Sequence, residues 1–390
     1  MTSTPSKKIC VFTGTRADYG LLKPLMSRIA GHQFFNLQLL VTGAHLSREF
    51  GYTCAEIEGD GFLIDEKVEM LLSSDTPSAV SKSMGLGLMG FASAFERLGP
   101  DLLLILGDRY EALAAACAAT MEGIPIAHIH GGEITLGAVD DAFRHAITKM
   151  SHIHFTCAEE YRKRVIQLGE FPETVFNTGA LGVDSMRSLD FMPKEELSQR
   201  LGFSADNPFF LITFHPETRS RGMAEMQTKA LLESLNHFED RYFIFTSPGA
   251  DAESGVIKKM ISDWVSEKKE KARMYSSMGR RFYLSGMKYA EAVIGNSSSG
   301  IIETPFFKVP CVNIGKRQEG RIKAQNIIDT GYSADNIKKA VAMAVSKDFR
   351  AGLESMVNPF DKGDTAREII SILENIKWPV RIVKKFHDIG

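Results

Sequence analysis

Short, nearly unbroken apolar runs alternate along the first half of the chain with stretches whose apolar residues recur every three or four positions. The runs predict strands over 9–12, 37–41, 102–106, 126–129 and 153–156. The periodic stretches predict helices over 19–30, 78–98, 112–121 and 141–150. The pattern restarts in the second half, with strands over 209–214, 242–246, 292–294 and 309–314 and helices over 223–236, 256–267 and 336–345. Apolar strands separated by helices imply a parallel sheet covered on both faces. The sequence therefore predicts an α/β chain of two Rossmann-like, doubly wound domains facing a central cleft, with ligands at the carboxyl ends of the strands. Gly179 to Gly182 is the expected hinge, giving domains over 1–180 and 181–364. A helix over 365–375 and the tail to 390 are expected to pack back across both.

Composition narrows the function without naming it. A chain of 390 residues exceeds one ordinary core, and 44% hydrophobic with 24% charged residues is globular usage. A formal net charge of -2 gives no general basic field for nucleic acid or anionic lipid. The apolar runs are too short to span a bilayer, and the polar start of the chain has no secretory apolar region. Cys10, Cys54, Cys117, Cys157 and Cys311 are dispersed, an odd set that reads as reduced cysteines of a cytoplasmic protein.

Candidate chemistry gathers where predicted strands end. Gly85-Leu86-Gly87-Leu88-Met89-Gly90 matches G-x-G-x-x-G, but it lies inside a helical pattern with no strand leading into it. It predicts close helix packing, and no bound NAD. Gly14-Thr15-Arg16, between strand and helix, is either a phosphate-binding turn or a simple turn with a solvated arginine. Asp108 follows the most apolar run of the first half, beside Arg109 and Glu111. A helix cap would explain the aspartate alone but not its neighbours.

His128 and His130 alternate on one predicted strand, followed by Gly131-Gly132-Glu133. Such a pair can bind metal, yet no third ligand stands nearby in sequence, so no zinc site is expected. Asp140-Asp141 opens the helix carrying Arg144, His145 and Lys149, where acids favour the helix dipole. Asp108, Glu133 and Asp140 are expected on one rim, where mutual repulsion would separate their pKa values for acid and base work. In the second half, His215-Pro216-Glu217 ends a strand, and Gly295 to Gly300 (Gly-Asn-Ser-Ser-Ser-Gly) joins a strand to a helix. The latter offers hydroxyls and helix N–H groups to a diphosphate, or is only a capped loop. Glu303, Arg317 and Arg321 are expected close by.

Taken in order, Gly14-Thr15-Arg16-Ala17-Asp18-Tyr19-Gly20, Gly107-Asp108-Arg109, His130-Gly131-Gly132-Glu133, Arg144-His145-Ala146-Ile147-Thr148-Lys149, Phe214-His215-Pro216-Glu217, Ile294 to Gly300 and Arg317-Gln318 resemble the hydrolysing UDP-N-acetylglucosamine 2-epimerases, in their bacterial sialic-acid and legionaminic-acid branch. The resemblance spans nearly the whole chain. It implies a GT-B-like fold without metal or NAD, and a homodimer or homotetramer. It implies elimination of UDP to a 2-acetamidoglucal, then hydration to free N-acetylmannosamine. Asp108 and Asp140 would act in proton transfer, and His215 and Arg16 would contact diphosphate or sugar. Ser297 and Ser298, with Ser299, Gly300 and Arg109 in the same binding set, would face the substrate. Glu303 would hold the ribose and Arg317 the nucleotide. Relatives carry Glu where this chain has His130, so His130 and Glu133 share the remaining proton-transfer role. A related substrate is UDP-N,N'-diacetylbacillosamine, a 4-acetamido-6-deoxy sugar.

Overall fold

The structure, a computed structural model, describes residues 6–48, 51–74, 76–136, 139–187, 189–217, 222–248 and 253–389. The first series of strands is β1 (Lys7–Thr13), β2 (Phe35–Thr42), β3 (Glu66–Val68), β4 (Leu102–Leu106), β5 (Ile126–Ile129), β6 (Ile153–Thr156) and β7 (Val175–Asn177). They form one sheet in the order β3-β2-β1-β4-β5-β6-β7, with parallel pairing throughout. The second series is β8 (Phe209–Thr213), β9 (Tyr242–Thr246), β10 (Ala272–Tyr275), β11 (Ala292–Gly295), β12 (Cys311–Ile314) and β13 (Ile327–Thr330). These pair in parallel in the order β10-β9-β8-β11-β12-β13.

Both sheets are doubly wound, as the alternation of runs predicts. Burial shows why. Ile9, Val11, Leu102, Leu104, Ala127 and Ile129 belong to one apolar cluster. Their sequence neighbours Cys10, Phe12, Leu103, Ile105 and Ile126 belong to another. The period-two alternation of a strand thus fills both faces of one sheet. Phe210, Ile212, Phe245, Ile294 and Val312 belong to one apolar cluster on a face of the second sheet.

The chain divides into two compact units, each with its own core. One comprises Met1–Glu133, Val139–Ser185 and Phe360–Gly390, and the other Ile134–Ala138 and Met186–Pro359. The helix Thr365–Asn375 lies in the first unit. Its Ala366, Ile369 and Leu373 join the cluster that holds Leu22, Met26 and Ile29 of helix Arg16–Ala30. The Asp184 carboxylate accepts from Ala366 N at 2.6 Å.

The glycine motif at 85–90 lies in mid-helix, within Pro77–Leu98. A Cβ on Gly87 would approach Met70 Cε to 2.9 Å, and one on Gly90 would approach Val68 Cγ1 to 2.4 Å. These glycines let a helix lie close on β3 and its continuation, as expected from their helical context. Among the described residues, no helix is long and apolar enough to cross a membrane.

Candidate active site

Each sheet reverses its strand order once, between β1 and β4 in the first unit and between β8 and β11 in the second. Loops after these strands diverge to opposite sides and leave a crevice at the carboxyl edge, where doubly wound sheets take their ligands. The candidate residues Gly14 to Arg16, Asp108 and Arg109 follow β1 and β4. His215 and Ser297 to Gly300 follow β8 and β11.

The centre of the first unit's group is Arg144, a residue that the sequence placed on a helix without giving it a role. It is buried, on helix Asp140–Met150, three and four residues after Asp141 and Asp140. Its Nη2 donates to Asp108 Oδ2, and its Nη1 donates to the Glu133 carbonyl at 2.8 Å. Asp141 Oδ1 lies 3.6 Å from Nη1. One planar fork thus ties the loops after β4 and β5 to the helix. The helix cap after β4 is Arg109, which makes no side-chain capping bond; Asp108 serves as a partner of Arg144 instead.

Asp140 is half-buried, and its pKa is raised, first by burial and then by the negative charge of Asp108. Of the three carboxylates expected on one rim, Asp108 and Asp140 lie close enough for like charge to separate their protonation, whereas the Glu133 carboxylate turns to His130 and Cys157. The signal that would have found Arg144 was available: an arginine three to four residues after a pair of acids shares their helix face.

His128 and His130 part company. His128 is fully buried. Its Nε2–H donates to the Gly107 carbonyl at 2.7 Å, so its Nδ1 accepts from the Thr148 hydroxyl at 3.0 Å. Burial pushes its pKa down to about 3. Both ring nitrogens are occupied, which rules His128 out as a metal ligand and makes it a brace for the turn before Asp108.

His130 sits at φ +66°, a left-handed conformation costing a non-glycine residue about 1 kcal/mol or more. Its Nδ1 lies 3.3 Å from Glu133 Oε1, while its buried Nε2 has no hydrogen-bond partner. Glu133 Oε1 also accepts from Cys157 Sγ at 3.3 Å. Cys157 follows β6 and was read from sequence only as a core cysteine.

The turn after β1 differs from expectation. Thr15 caps helix Arg16–Ala30 in a capping box with Asp18. Asp18 Oδ2 accepts from Gly14 N at 2.8 Å and Thr15 N at 3.2 Å. The backbone donors proposed for a phosphate are thus taken by a carboxylate of the chain itself. Burial raises Asp18 to about 6 against the opposing pull of those N–H groups. Arg16 is about half exposed and pairs with Glu56 at 3.0 Å. Arg109 forks onto the buried Glu111, at 3.2 and 3.3 Å.

In the second unit the organising residue is Asn296, also absent from the sequence-derived set of site residues. Its side chain accepts from His215 N and donates to His215 O, both at 2.8 Å. Its own carbonyl accepts from Arg317 Nη1 at 3.2 Å and from Gln318 Nε2 at 2.9 Å. The buried Glu217 accepts from Lys316 N at 2.8 Å and Arg317 N at 2.9 Å. Three loops, after β8, β11 and β12, are thereby stitched together around His215 and Arg317.

Gly295 is required here, because a Cβ at its φ of +140° would lie 1.9 Å from the Thr213 carbonyl oxygen. Ser297 caps the short helix Ser298–Ile302, accepting from Ser299 N at 3.4 Å, so the capping reading of this loop holds. Its Oγ lies 3.2 Å from Ser299 Oγ, itself 2.6 Å from the Tyr283 hydroxyl. Glu303 has a pKa raised by burial, with Arg280 Nη1 3.6 Å from its carboxylate. Arg321 Nη2 contacts Thr135 Oγ1 at 3.5 Å, within the same unit. A separate cavity of about 490 Å³ in the first unit, lined by residues including His152, Phe171, Lys377 and Lys384, shares no residue with either group.

Two doubly wound parallel sheets define an α/β protein of the GT-B-like fold class. The fold matches that of the UDP-GlcNAc 2-epimerase from Neisseria meningitidis, solved bound to UDP-GlcNAc, with a TM-score of 0.82 at 17% identity, covering 95% of this chain and 100% of that one. The chain is 41% identical to the GDP/UDP-N,N'-diacetylbacillosamine 2-epimerase (hydrolyzing) of Campylobacter jejuni, over 98% of this chain and 99% of the relative. It is 38% identical to the polysialic acid biosynthesis protein P7 of Escherichia coli, over 98% of each. The UDP-N-acetylglucosamine 2-epimerase family model matches residues 27–374, and the chain belongs to that family.

Proposed function

We propose that the protein is a hydrolysing 2-epimerase of a UDP-linked 2-acetamido hexose, releasing UDP and the free 2-epimer. The observation that carries the reading is the Asp108–Arg144–Asp140 group at the first sheet's switch point, in a chain of this family. The first unit's residues would move protons at the sugar, and the second unit's residues would hold UDP.

A proton at C2 of the sugar is a very weak acid, so its removal is coupled to departure of a stabilised leaving group. The base takes the C2 proton, those electrons form the C1–C2 double bond, and the C1–O bond breaks with its electron pair leaving on UDP. Water then adds, with hydroxyl to C1 and a proton to C2 from the opposite face. His130 suits the role of base. Its Nδ1–H points to Glu133, which leaves the Nε2 lone pair without a partner inside a buried site. Glu133 then fixes the tautomer, and the two residues share one function. Asp140, its pKa raised, suits proton delivery, with Asp108 as its charged neighbour. Such acid–base help contributes about two to four powers of ten. His215, Arg317, Ser297 and Ser298 would spread the charge on UDP, with Ser299, Gly300, Arg16 and Arg109 completing the binding set and Glu303 at the ribose.

The first reading of the sugar is N-acetylglucosamine, giving N-acetylmannosamine for sialic acid synthesis, in keeping with the Escherichia coli relative's name. The second, UDP-N,N'-diacetylbacillosamine, is favoured by the name of the 41% identical relative. Dispersed, unpaired cysteines support a cytoplasmic setting, and the family resemblance supports a homo-oligomer. Incubation with each nucleotide sugar in deuterated water tests the reading. Free UDP with a 2-deuterated manno-sugar supports it, whereas a product still linked to UDP, or no turnover without an acceptor, overturns it.

A further inference from the structure

We infer that His130, Glu133 and Cys157 form a binding site for a thiophilic divalent cation of the Zn²⁺ or Cd²⁺ type, and that this cation inhibits the enzyme. The site rests on three side chains from two loops. One ligand atom from each lies within 4.8 Å of the other two, Glu133 and Cys157 are buried, and His130 is nearly so. Two edges of this triangle, Nδ1 to Oε1 and Sγ to Oε1, are both 3.3 Å. A tetrahedral cation with bonds of about 2.0–2.3 Å to N, O and S needs edges of about 3.3–3.7 Å. The donors therefore stand near coordinating separation already, and one or two water ligands would complete the shell.

The charges also balance. Glu133 Oε1 faces two protons, on His130 Nδ1 and Cys157 Sγ, and a dication replaces both. The thiol proton leaves to solvent as the Sγ–metal bond forms. The imidazole proton moves from Nδ1 to Nε2, so the ring stays neutral while Nδ1 donates its lone pair to the metal. A neutral imidazole, a carboxylate and a thiolate then neutralise the dication, with no redox step. Imidazole and thiolate select Zn²⁺ or Cd²⁺ over Mg²⁺ or Ca²⁺, which favour all-oxygen shells.

Inhibition follows from the same proton shift. It rests on the proposed role of His130, whose Nε2 lone pair is the base and is protonated in the metal-bound form. The cation is an inhibitor and takes no part in epimerisation. Release of one thiol proton makes binding tighter by about tenfold per pH unit below the thiol's own pKa.

The test uses the full-length protein treated with chelator and titrated with Cd²⁺, reading the ultraviolet Cd–thiolate charge-transfer band, alongside Cys157→Ser and Cys117→Ser. The expected result is one equivalent bound by wild type and by Cys117→Ser, with affinity at least about tenfold weaker and no band in Cys157→Ser. Zn²⁺ should inhibit turnover of wild type and of Cys117→Ser reversibly by chelator, and should inhibit Cys157→Ser, measured against that variant's own metal-free rate, only at concentrations at least about tenfold higher. A wild-type protein without the band, or a band that survives in Cys157→Ser, overturns the site. If the band behaves as expected but neither nucleotide sugar turns over without metal, the site stands and the functional reading fails.

Discussion

His128 donates its Nε2–H to the carbonyl oxygen of Gly107 at 2.7 Å, bracing from β5 the left-handed turn that carries Asp108 out of β4. The acceptor at Gly107 fixes the tautomer, and the Thr148 hydroxyl satisfies the other nitrogen. Replacing His128 by Phe removes both bonds and leaves the Gly107 carbonyl without this donor. The expected outcome is a fall in kcat of roughly tenfold to a hundredfold, the scale set by displacing a reacting group by an ångström. UDP affinity, which the proposed function assigns to the second unit, should stay within about twofold. Thr148→Val, which removes only the hydroxyl, should cost less. Steady-state kinetics with equilibrium UDP binding separates the two effects, and equal loss of both would count against a positioning role.

The same histidine gives the fold an acid-sensitive side. Burial depresses His128 to about 3 and His45 to about 4, both below the ordinary 6.5. A neutral buried histidine stabilises the fold fully above the unfolded value, and that stability drains away as pH falls toward the folded value. Each such residue removes about 1.4 kcal/mol per pH unit inside its window. Asp18 works in the opposite sense. Its folded value, raised to about 6 from 3.8, lets the native state take up a proton as pH falls through that range and offsets one histidine. Urea unfolding from pH 6.5 to 4 should show stability declining with acid in the wild type. In His128→Phe the slope should be smaller by about one proton; an unchanged slope would refute the assignment.

The inner strands were legible because burial on both faces writes them as unbroken apolar runs: Leu102–Leu106 is Leu-Leu-Leu-Ile-Leu. The edge strands carry no such run. Glu66–Val68 reads Glu-Lys-Val, and Ile327–Thr330, only partly buried, ends in Asp-Thr. Half-solvated edges are written in mixed residues that resemble loops. The site shows the same division. Residues at strand ends, such as Asp108 and His215, could be found by position. Arg144, Asn296 and Cys157 act through partners 36, 81 and 24 positions away in the chain; only Arg144 has a local signal, the acids one turn before it, and that signal does not name Asp108. The turn after β1 stayed open between two readings because the anion serving its N–H groups, Asp18, belongs to the same turn.

Arg144 and Asp140 predict a clean separation between chemistry and nucleotide binding. Asp140→Asn removes a proton donor, and kcat should fall by roughly two to four powers of ten. Arg144→Lys keeps the positive charge but cannot fork to both Asp108 and the Glu133 carbonyl, so a loss on the order of a hundredfold is expected despite the conserved charge. Both residues lie in the first unit, on helix Asp140–Met150. Calorimetric titration with UDP should therefore give dissociation constants within about twofold of wild type. A large loss of UDP affinity in Asp140→Asn would show that the assignment of roles to the two units is wrong.

Asn296 supplies the converse experiment. Its amide bonds both backbone groups of His215, and it is itself 1% exposed, so water cannot readily replace it. Asn296→Ala removes both of these bonds, each a loss of about 0.5–1.5 kcal/mol. Asn296→Asp keeps the acceptor for His215 N but turns a carboxylate oxygen toward the His215 carbonyl, replacing attraction with repulsion. Both variants should lower the thermal midpoint. At a temperature where they remain folded, UDP affinity should fall by about tenfold or more, because the His215 backbone loses its side-chain anchor, while Arg317 keeps its bond to the residue 296 carbonyl. Turnover at saturating substrate should change little, so the effect appears in KM more than in kcat. Gly295→Ala, whose added carbon would meet the Thr213 carbonyl oxygen at 1.9 Å, should shift this same loop and reproduce the binding defect. Intact UDP binding in folded Asn296→Ala would remove the loop after β11 from the nucleotide site.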